Sequence, residues 1–237
     1  MNTENNLQLK EYHCEGNGIY NLDISHLKKL EILNCRNNNL SLLVTKENLL
    51  LKELWCDENN IKYLDLDHLA NLRILACGKN RMKSLRIKNL SKIEKVSLIG
   101  SKDTLELTLS NLPKLDSLKF NTIPLTVSNI RQIRLLGKHS LSHLICNDLQ
   151  LGELIIEDMS TLKSINCHGN QLGELVLNNP NLLEEINLSN NKFENFELPF
   201  IPLLKHLNFN DNELFELKLL SCPTIENLRC RRNNISE

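Results

Sequence analysis

Leu51-Lys52-Glu53-Leu54-Trp55-Cys56-Asp57-Glu58-Asn59-Asn60-Ile61 restates Leu30-Glu31-Ile32-Leu33-Asn34-Cys35-Arg36-Asn37-Asn38-Asn39-Leu40 at an interval of 21 residues. Leu72-Arg73-Ile74-Leu75-Ala76-Cys77-Gly78-Lys79-Asn80-Arg81-Met82 states the phrase a third time. Working outward, starts fall at Leu9, Leu30, Leu51, Leu72, Ile93, Leu115, Leu141, Leu162, Leu183, Leu204 and Ile225. These eleven repeats step by 21 residues, except for 22 after Ile93 and 26 after Leu115, and leave almost no sequence outside them. A period of this length is the mark of a solenoid, in which each unit buries its apolar face only against its neighbours. The composition agrees, with 51 Leu and 34 Asn among 237 residues and only 4% aromatics.

Numbering each phrase from its first apolar residue, slots 4 and 6 are apolar and point inward from a strand, so slots 3, 5 and 7 point outward. Slot 9 is Asn in eight repeats: Asn17, Asn38, Asn59, Asn80, Asn170, Asn191, Asn212 and Asn233. A buried amide there can satisfy backbone groups where the chain leaves the strand, and stacked copies can bond one another. The second half of a repeat alternates as well, as in Leu64-Asp65-Leu66 and Leu175-Val176-Leu177. That period of two predicts a short extended segment behind each strand. The phrase is the L-x-x-L-x-L-x-x-N/C-x-L signature, so residues 9 to 237 resemble the leucine-rich repeat family. The resemblance implies an α/β horseshoe of about eleven repeats, with a parallel concave sheet, a mostly extended convex side and few helices. Residues 1–8 read as a short N-terminal cover over a single solenoid.

A net charge of -1 supplies no electrostatic case for nucleic acid or an anionic membrane. No apolar run approaches the length of a membrane span, and the first residues have neither the basic nor the apolar region of a secretory signal. Seven of the eight Cys occupy slot 6, a position shared with Leu98, Phe120, Leu188 and Phe209. They therefore read as packed core thiols of a reducing compartment, not as a disulfide framework or a zinc site. The four Asn-x-Ser sequons are what this Asn content yields by chance, and Asn187 is in slot 5, where a glycan would block the outward face. No phosphate loop, dinucleotide fingerprint, zinc-protease or nucleophile-elbow motif occurs. His143 and His168 fall at opposite ends of neighbouring strands, about 13 Å apart, too far for one metal or a proton relay. Neither catalysis nor a cofactor is expected.

The register breaks between 93 and 140, where repeats 5 to 7 carry Ser101, Ile123 and Leu149 at slot 9. Repeat 5 gains one residue near Asp103-Thr104-Leu105, and repeat 6 gains five between Thr122 and Ser140. Apolar residues at 130, 133, 135 and 136 predict a one- or two-turn helix from Asn129, capped by Ser128 and ended by Gly137. Such a segment either bends the solenoid or protrudes toward a partner.

The outward slots remain as the candidate site. Repeats 2 to 4 set the single Trp, Trp55, between Ile32 and Ile74, with Asn34, Arg36, Glu53 and Asp57 around it. An apolar centre with a charged rim is the anatomy of a protein interface. Glu11, His13, Lys95, His143, Ile145, Arg229 and Arg231 extend the same face, whereas the Asn and Ser of repeats 8 to 10 read as a solvated surface. The expected function is a scaffold, monomeric apart from a protein partner, that regulates or inhibits that partner. The sequence dialect resembles leucine-rich repeat effectors that intracellular bacteria such as Legionella deliver into host cells, which implies a cytoplasmic site reached by a route other than Sec. A substrate-recognition part of a larger enzyme such as a ubiquitin ligase is the competing expectation.

Overall fold

The computed structural model describes residues 3–100, 103, 105–120, 130–219 and 222–236. Each repeat begins with a three-residue strand formed by slots 3 to 5. In chain order, with the convex strands interleaved, the concave strands are β1 (Glu11–His13), β2 (Ile32–Asn34), β3 (Glu53–Trp55), β4 (Ile74–Ala76), β6 (Lys95–Ser97) and β8 (Ser117–Lys119). They continue as β10 (His143–Ile145), β12 (Ser164–Asn166), β14 (Glu185–Asn187), β16 (His206–Asn208) and β18 (Asn227–Arg229). All pairs are parallel and in strict register, for example Asn34 to Trp55 to Ala76. Among the described residues no ladder joins β8 to β10, so the concave wall is two sheets of six and five strands.

The convex side carries its own parallel sheet, of β5 (Ser84–Lys88), β7 (Leu105–Leu112), β9 (Ile130–His139), β11 (Glu153–Glu157) and β13 (Val176–Asn178). A further pair, β15 (Asn195–Glu197) and β17 (Glu216–Lys218), follows. No helix occurs among the described residues, so the α/β expectation is corrected to an all-β solenoid. The repeat count is corrected likewise: eleven concave strands enclose ten complete turns, and the eleventh repeat contributes only its strand and first corner. Between the two walls the inward Leu, Ile and Cys of every turn form one continuous apolar column.

The slot 9 amides hold successive turns together through backbone groups. Asn80 Nδ2 donates to the carbonyls of Cys77 in its own turn and Cys56 in the turn before, each at 2.9 Å. Its Oδ1 accepts from the backbone N–H of Ile61 at 3.0 Å. Asn38, Asn170, Asn191 and Asn212 reach back to the preceding carbonyl in the same way. Each amide thus saturates backbone groups that the apolar column would otherwise leave unpaired. Just before it, at slot 8, the chain turns through the left-handed region, as at Asn37 (φ 51), Glu58 (φ 58), Lys79 (φ 48) and Asp211 (φ 58). Asn and Asp tolerate that conformation, whereas Glu58 and Lys79 adopt it at a cost of about 1 kcal/mol each. An ion pair of 2.8 Å joins these two corners across the turns.

One expectation fails in the irregular stretch. Residues 130–139 form strand β9, not a helix, while Ser128 and Asn129 lie outside the described residues, as do Ser101, Thr104, Thr122 and Ile123. Opposite β7 the register reads Leu105 to Ile130 and then Glu106 to Gln132, so Arg131 is an extra, bulged residue. A second shift sets Ser110 against Leu136 and Leu112 against His139, with Gly137 in the left-handed region at φ 76. A Cβ on Gly137 would come within 2.2 Å of Asn111 Oδ1, and the left-handed backbone strains any side chain placed there. His139 closes the strand, buried, with Nε2 3.2 Å from the Leu136 carbonyl, and burial lowers its pKa. The cysteines also depart from expectation at one rung: Cys146 and Cys167, on adjacent turns with Cα atoms 4.9 Å apart, are bonded to each other. The other six are thiols, and burial pushes that of Cys14 up to about 11.

Candidate functional site

The expected outward residues fall into two groups. Glu11 and His13 on β1, Ile32 and Asn34 on β2, Glu53 and Trp55 on β3, Ile74 on β4 and Lys95 on β6 share the first concave sheet, with Arg36 and Asp57 just past their strands. His143 and Ile145 on β10 and Arg229 on β18, with Arg231 beside it, lie on the second. The break between β8 and β10 separates the two groups.

The first group is organised around Trp55, whose indole is half-buried rather than fully exposed. The guanidinium carbon of Arg36 lies 4.2 Å from the ring centroid, within the range of a cation–π contact. Arg36 Nε donates to Asp57 Oδ2 at 2.8 Å, and Asp57 Oδ1 accepts from the backbone N–H of Gly78 at 3.0 Å. Asp57 is only 15% exposed, so its two bonds fix Arg36 over the indole. On the other side Trp55 Nε1 donates to Glu53 at 3.1 Å, and Ile32 and Ile74 flank Glu53 in register. The indole is therefore held in one pose before anything binds. Preorganised aromatic and Arg side chains of this kind lose little entropy on association.

Gly78 lets this cluster form. A Cβ there would lie 2.1 Å from the Ile99 carbonyl, because the turns of repeats 4 and 5 approach closely at slot 7. The sequence did not single out the ties that fix the cluster, yet a signal for them existed. Residues 21 apart face each other across the turns, and Arg36–Asp57, Glu31–Lys52, Glu58–Lys79, Arg73–Glu94 and Glu184–Lys205 all pair with opposite charge. Hydrogen bonds from Lys52, Arg73 and Lys205 lower the pKa of Glu31, Glu94 and Glu184 respectively.

The second group lines a shallow trough of about 520 Å³ over β10 to β18. His143 Nδ1 is 2.7 Å from Ser164 Oγ, Ile145 is 60% exposed at one end, and Arg229 projects at the other. Among the described residues no cluster of three His, Cys, Asp or Glu side chains is arranged to hold a metal.

No protein-family model and no curated protein sequence matches the chain. Among solved structures, the functional domain of InlJ from Listeria monocytogenes, which includes a cysteine ladder, matches with 17% identity and a TM-score of 0.40. That match covers 97% of this chain and 59% of InlJ's. An internalin, InlF, from the same species matches with 16% identity and a TM-score of 0.49, over 98% of this chain and 83% of its own. The leucine-rich effector YopM from Yersinia pestis matches with 24% identity and a TM-score of 0.45, over 86% of this chain and 60% of its own. The chain thus spans less than two thirds of InlJ and of YopM. These structural neighbours are leucine-rich repeat proteins, solenoids of about 21 residues per turn.

Proposed function

We propose that the chain is a non-catalytic scaffold that binds another protein on its concave face, around Trp55. We further propose that it works as a bacterial effector that regulates or inhibits the protein it holds. The observation that carries the binding reading is the Arg36–Trp55–Asp57 cluster. One indole is stacked, hydrogen-bonded and flanked by half-exposed Ile32 and Ile74 on a rigid parallel sheet. A side chain needed only for folding would be expected among the fully buried inward slots, and Trp55 is in an outward one.

The test is affinity capture with the wild-type chain and a Trp55→Ala/Ile74→Asp variant whose fold is checked by far-UV circular dichroism. Lysates of the source bacterium and of a host cell serve as separate inputs. A protein held by the wild type and lost by the folded variant supports the concave site, and the lysate that supplies it decides whose protein is regulated. Equal retention by both would refute it.

A further inference from the structure

We infer that the second half of the concave face, over repeats 8 to 11, is a trough for an extended acidic segment of a partner protein. This deepens the scaffold reading and rests on it. Asn166, Asn187 and Asn208 share one row across β12, β14 and β16. Each side-chain oxygen accepts a backbone N–H two residues on, from Ser189 at 3.1 Å, Asn210 at 3.0 Å and His168 at 3.4 Å, the last N–H being shared with Asn147 Oδ1 at 3.2 Å. Only the oxygen of an amide can accept an N–H, so each NH₂ group is left to face the trough. At Asn187 the oxygen is doubly taken, since the Ser189 hydroxyl donates to it at 2.7 Å. With that proton committed, the Ser189 oxygen accepts from His168 Nδ1 at 3.0 Å. What the sequence reads as a neutral, solvated surface is a row of hydrogen-bond donors at strand spacing, with its acceptors turned inward.

The charges at the end of the row have the same sense. Arg229 and Arg231 are exposed, and their neighbours in the preceding turn are the neutral Asn208 and Asn210. Among the described residues, Glu185 is the one carboxylate lining the trough. The whole face is polarised: Glu11, Glu15, Glu53 and Asp57 against Arg36 in repeats 1 to 4, then Lys95, Lys119, Arg229 and Arg231 against Glu185. A polyanion charged on every unit would require a cation on every strand. Neutral amides followed by two guanidinium groups instead match peptide carbonyls followed by carboxylate side chains. The partner therefore lies in one direction, with its acidic part toward the eleventh strand.

The test uses the full chain and a fluorescently labelled peptide of alternating Glu and Ser, with a Lys/Ser peptide as counterpart, read by anisotropy. Arg229→Glu/Arg231→Glu and Asn187→Asp should each weaken the acidic peptide by about tenfold or more. Glu174→Lys, exposed on the convex side, should leave it bound, and Trp55 emission should not change. Far-UV circular dichroism verifies each fold. Binding that ignores the Arg229/Arg231 and Asn187 variants overturns the trough, and so does equal binding of the Lys/Ser peptide. A sulfated polysaccharide that binds there while the acidic peptide does not overturns the occupant. Failure of the Trp55 variant to release a captured partner would refute the Trp55 site and leave peptide binding intact, so the two readings fail separately.

Discussion

Replacing a slot 9 Asn by Ala removes the same atoms in every turn, yet the hydrogen bonds predict different costs at Asn170 and Asn191. Asn191 Nδ2 donates to the carbonyls of Cys167 and Leu188, but these also accept from Asn170 and Asn212 respectively. Asn191→Ala therefore orphans one buried group, the N–H of Leu172, which Asn191 Oδ1 accepts at 3.0 Å. Asn170 stands where the ladder restarts after the irregular repeats, because the preceding slot 9 residue is Leu149. Its oxygen accepts from both Leu149 and Leu151 at 3.0 Å, and its NH₂ reaches the Cys146 carbonyl at 2.8 Å. Asn170→Ala orphans all three. At about 1–3 kcal/mol per orphaned buried group, the expected costs are about 2 kcal/mol at Asn191 and about 6 kcal/mol at Asn170. The cavity contribution is common to both and cancels in the comparison.

Urea titration followed by far-UV circular dichroism measures the difference, with Trp55 fluorescence as a second probe. Trp55 lies in the first concave sheet and Asn170 in the turns of the second, so Asn170→Ala should also split the transition. The ellipticity midpoint should fall well below the fluorescence midpoint, since neighbouring turns in a solenoid stabilise one another in one dimension. An Asn191→Ala chain as unstable as Asn170→Ala, or more so, would refute the sharing of carbonyls between successive amides.

Gly78→Ala should destabilise the chain by about 3 kcal/mol or more, read as a lowered Tm, because the new Cβ meets the Ile99 backbone carbonyl at 2.1 Å; an unchanged Tm would contradict that close approach. Stability should fall in two steps on acidification. Buried His139 has a lowered pKa, so below about pH 6.5 the unfolded chain takes up the proton more readily and folding weakens; His139→Leu should flatten the curve between about pH 7 and 5. Glu31, Glu94 and Glu184 also have lowered pKa values. Their contribution is complete above about pH 4.3 and disappears as the pH falls through their folded values, so urea midpoints of Glu94→Gln and wild type should converge only in that acidic range. Iodoacetamide followed by mass spectrometry should label Cys230 first, since it alone of the six thiols is half-buried; early labelling of Cys35 or Cys56 would show that the column opens locally.

The concave side was legible because every strand reuses the same slots, and a period fixes inward and outward residues without knowledge of the turns between them. Strand β9 was not, and the reason is specific. Ile130 and Ile133 are both inward although they are three residues apart, a spacing that an unbroken strand cannot give and a helix can. The bulge at Arg131 supplies the missing residue, and the left-handed Gly137 imitates a helix C-terminus while serving as a second bulge. Periodicity alone cannot separate a bulged strand from a short helix. The convex neighbours could have done so: β7 and β11 on either side are extended, and a helix between them would leave both ladders unpaired.

The amide rows show a different limit. Asn appears at slot 5 and at slot 9 with the same side chain and opposite uses. At slot 9 the NH₂ is consumed by carbonyls of two turns, and the amide is structural. At slot 5 only the oxygen is consumed, by the chain's own next corner, and the NH₂ is presented outward. The residue type does not distinguish these states; the count of backbone groups needing a partner does. Directly after each strand, at slot 6, the column leaves carbonyls unpaired, while beside slot 5 the ladder has already satisfied them, so a donor there has nothing left to bond within the fold. Chemistry for a partner therefore arises where the backbone's own demand is met and a polar side chain remains, the condition fulfilled along Asn166, Asn187 and Asn208.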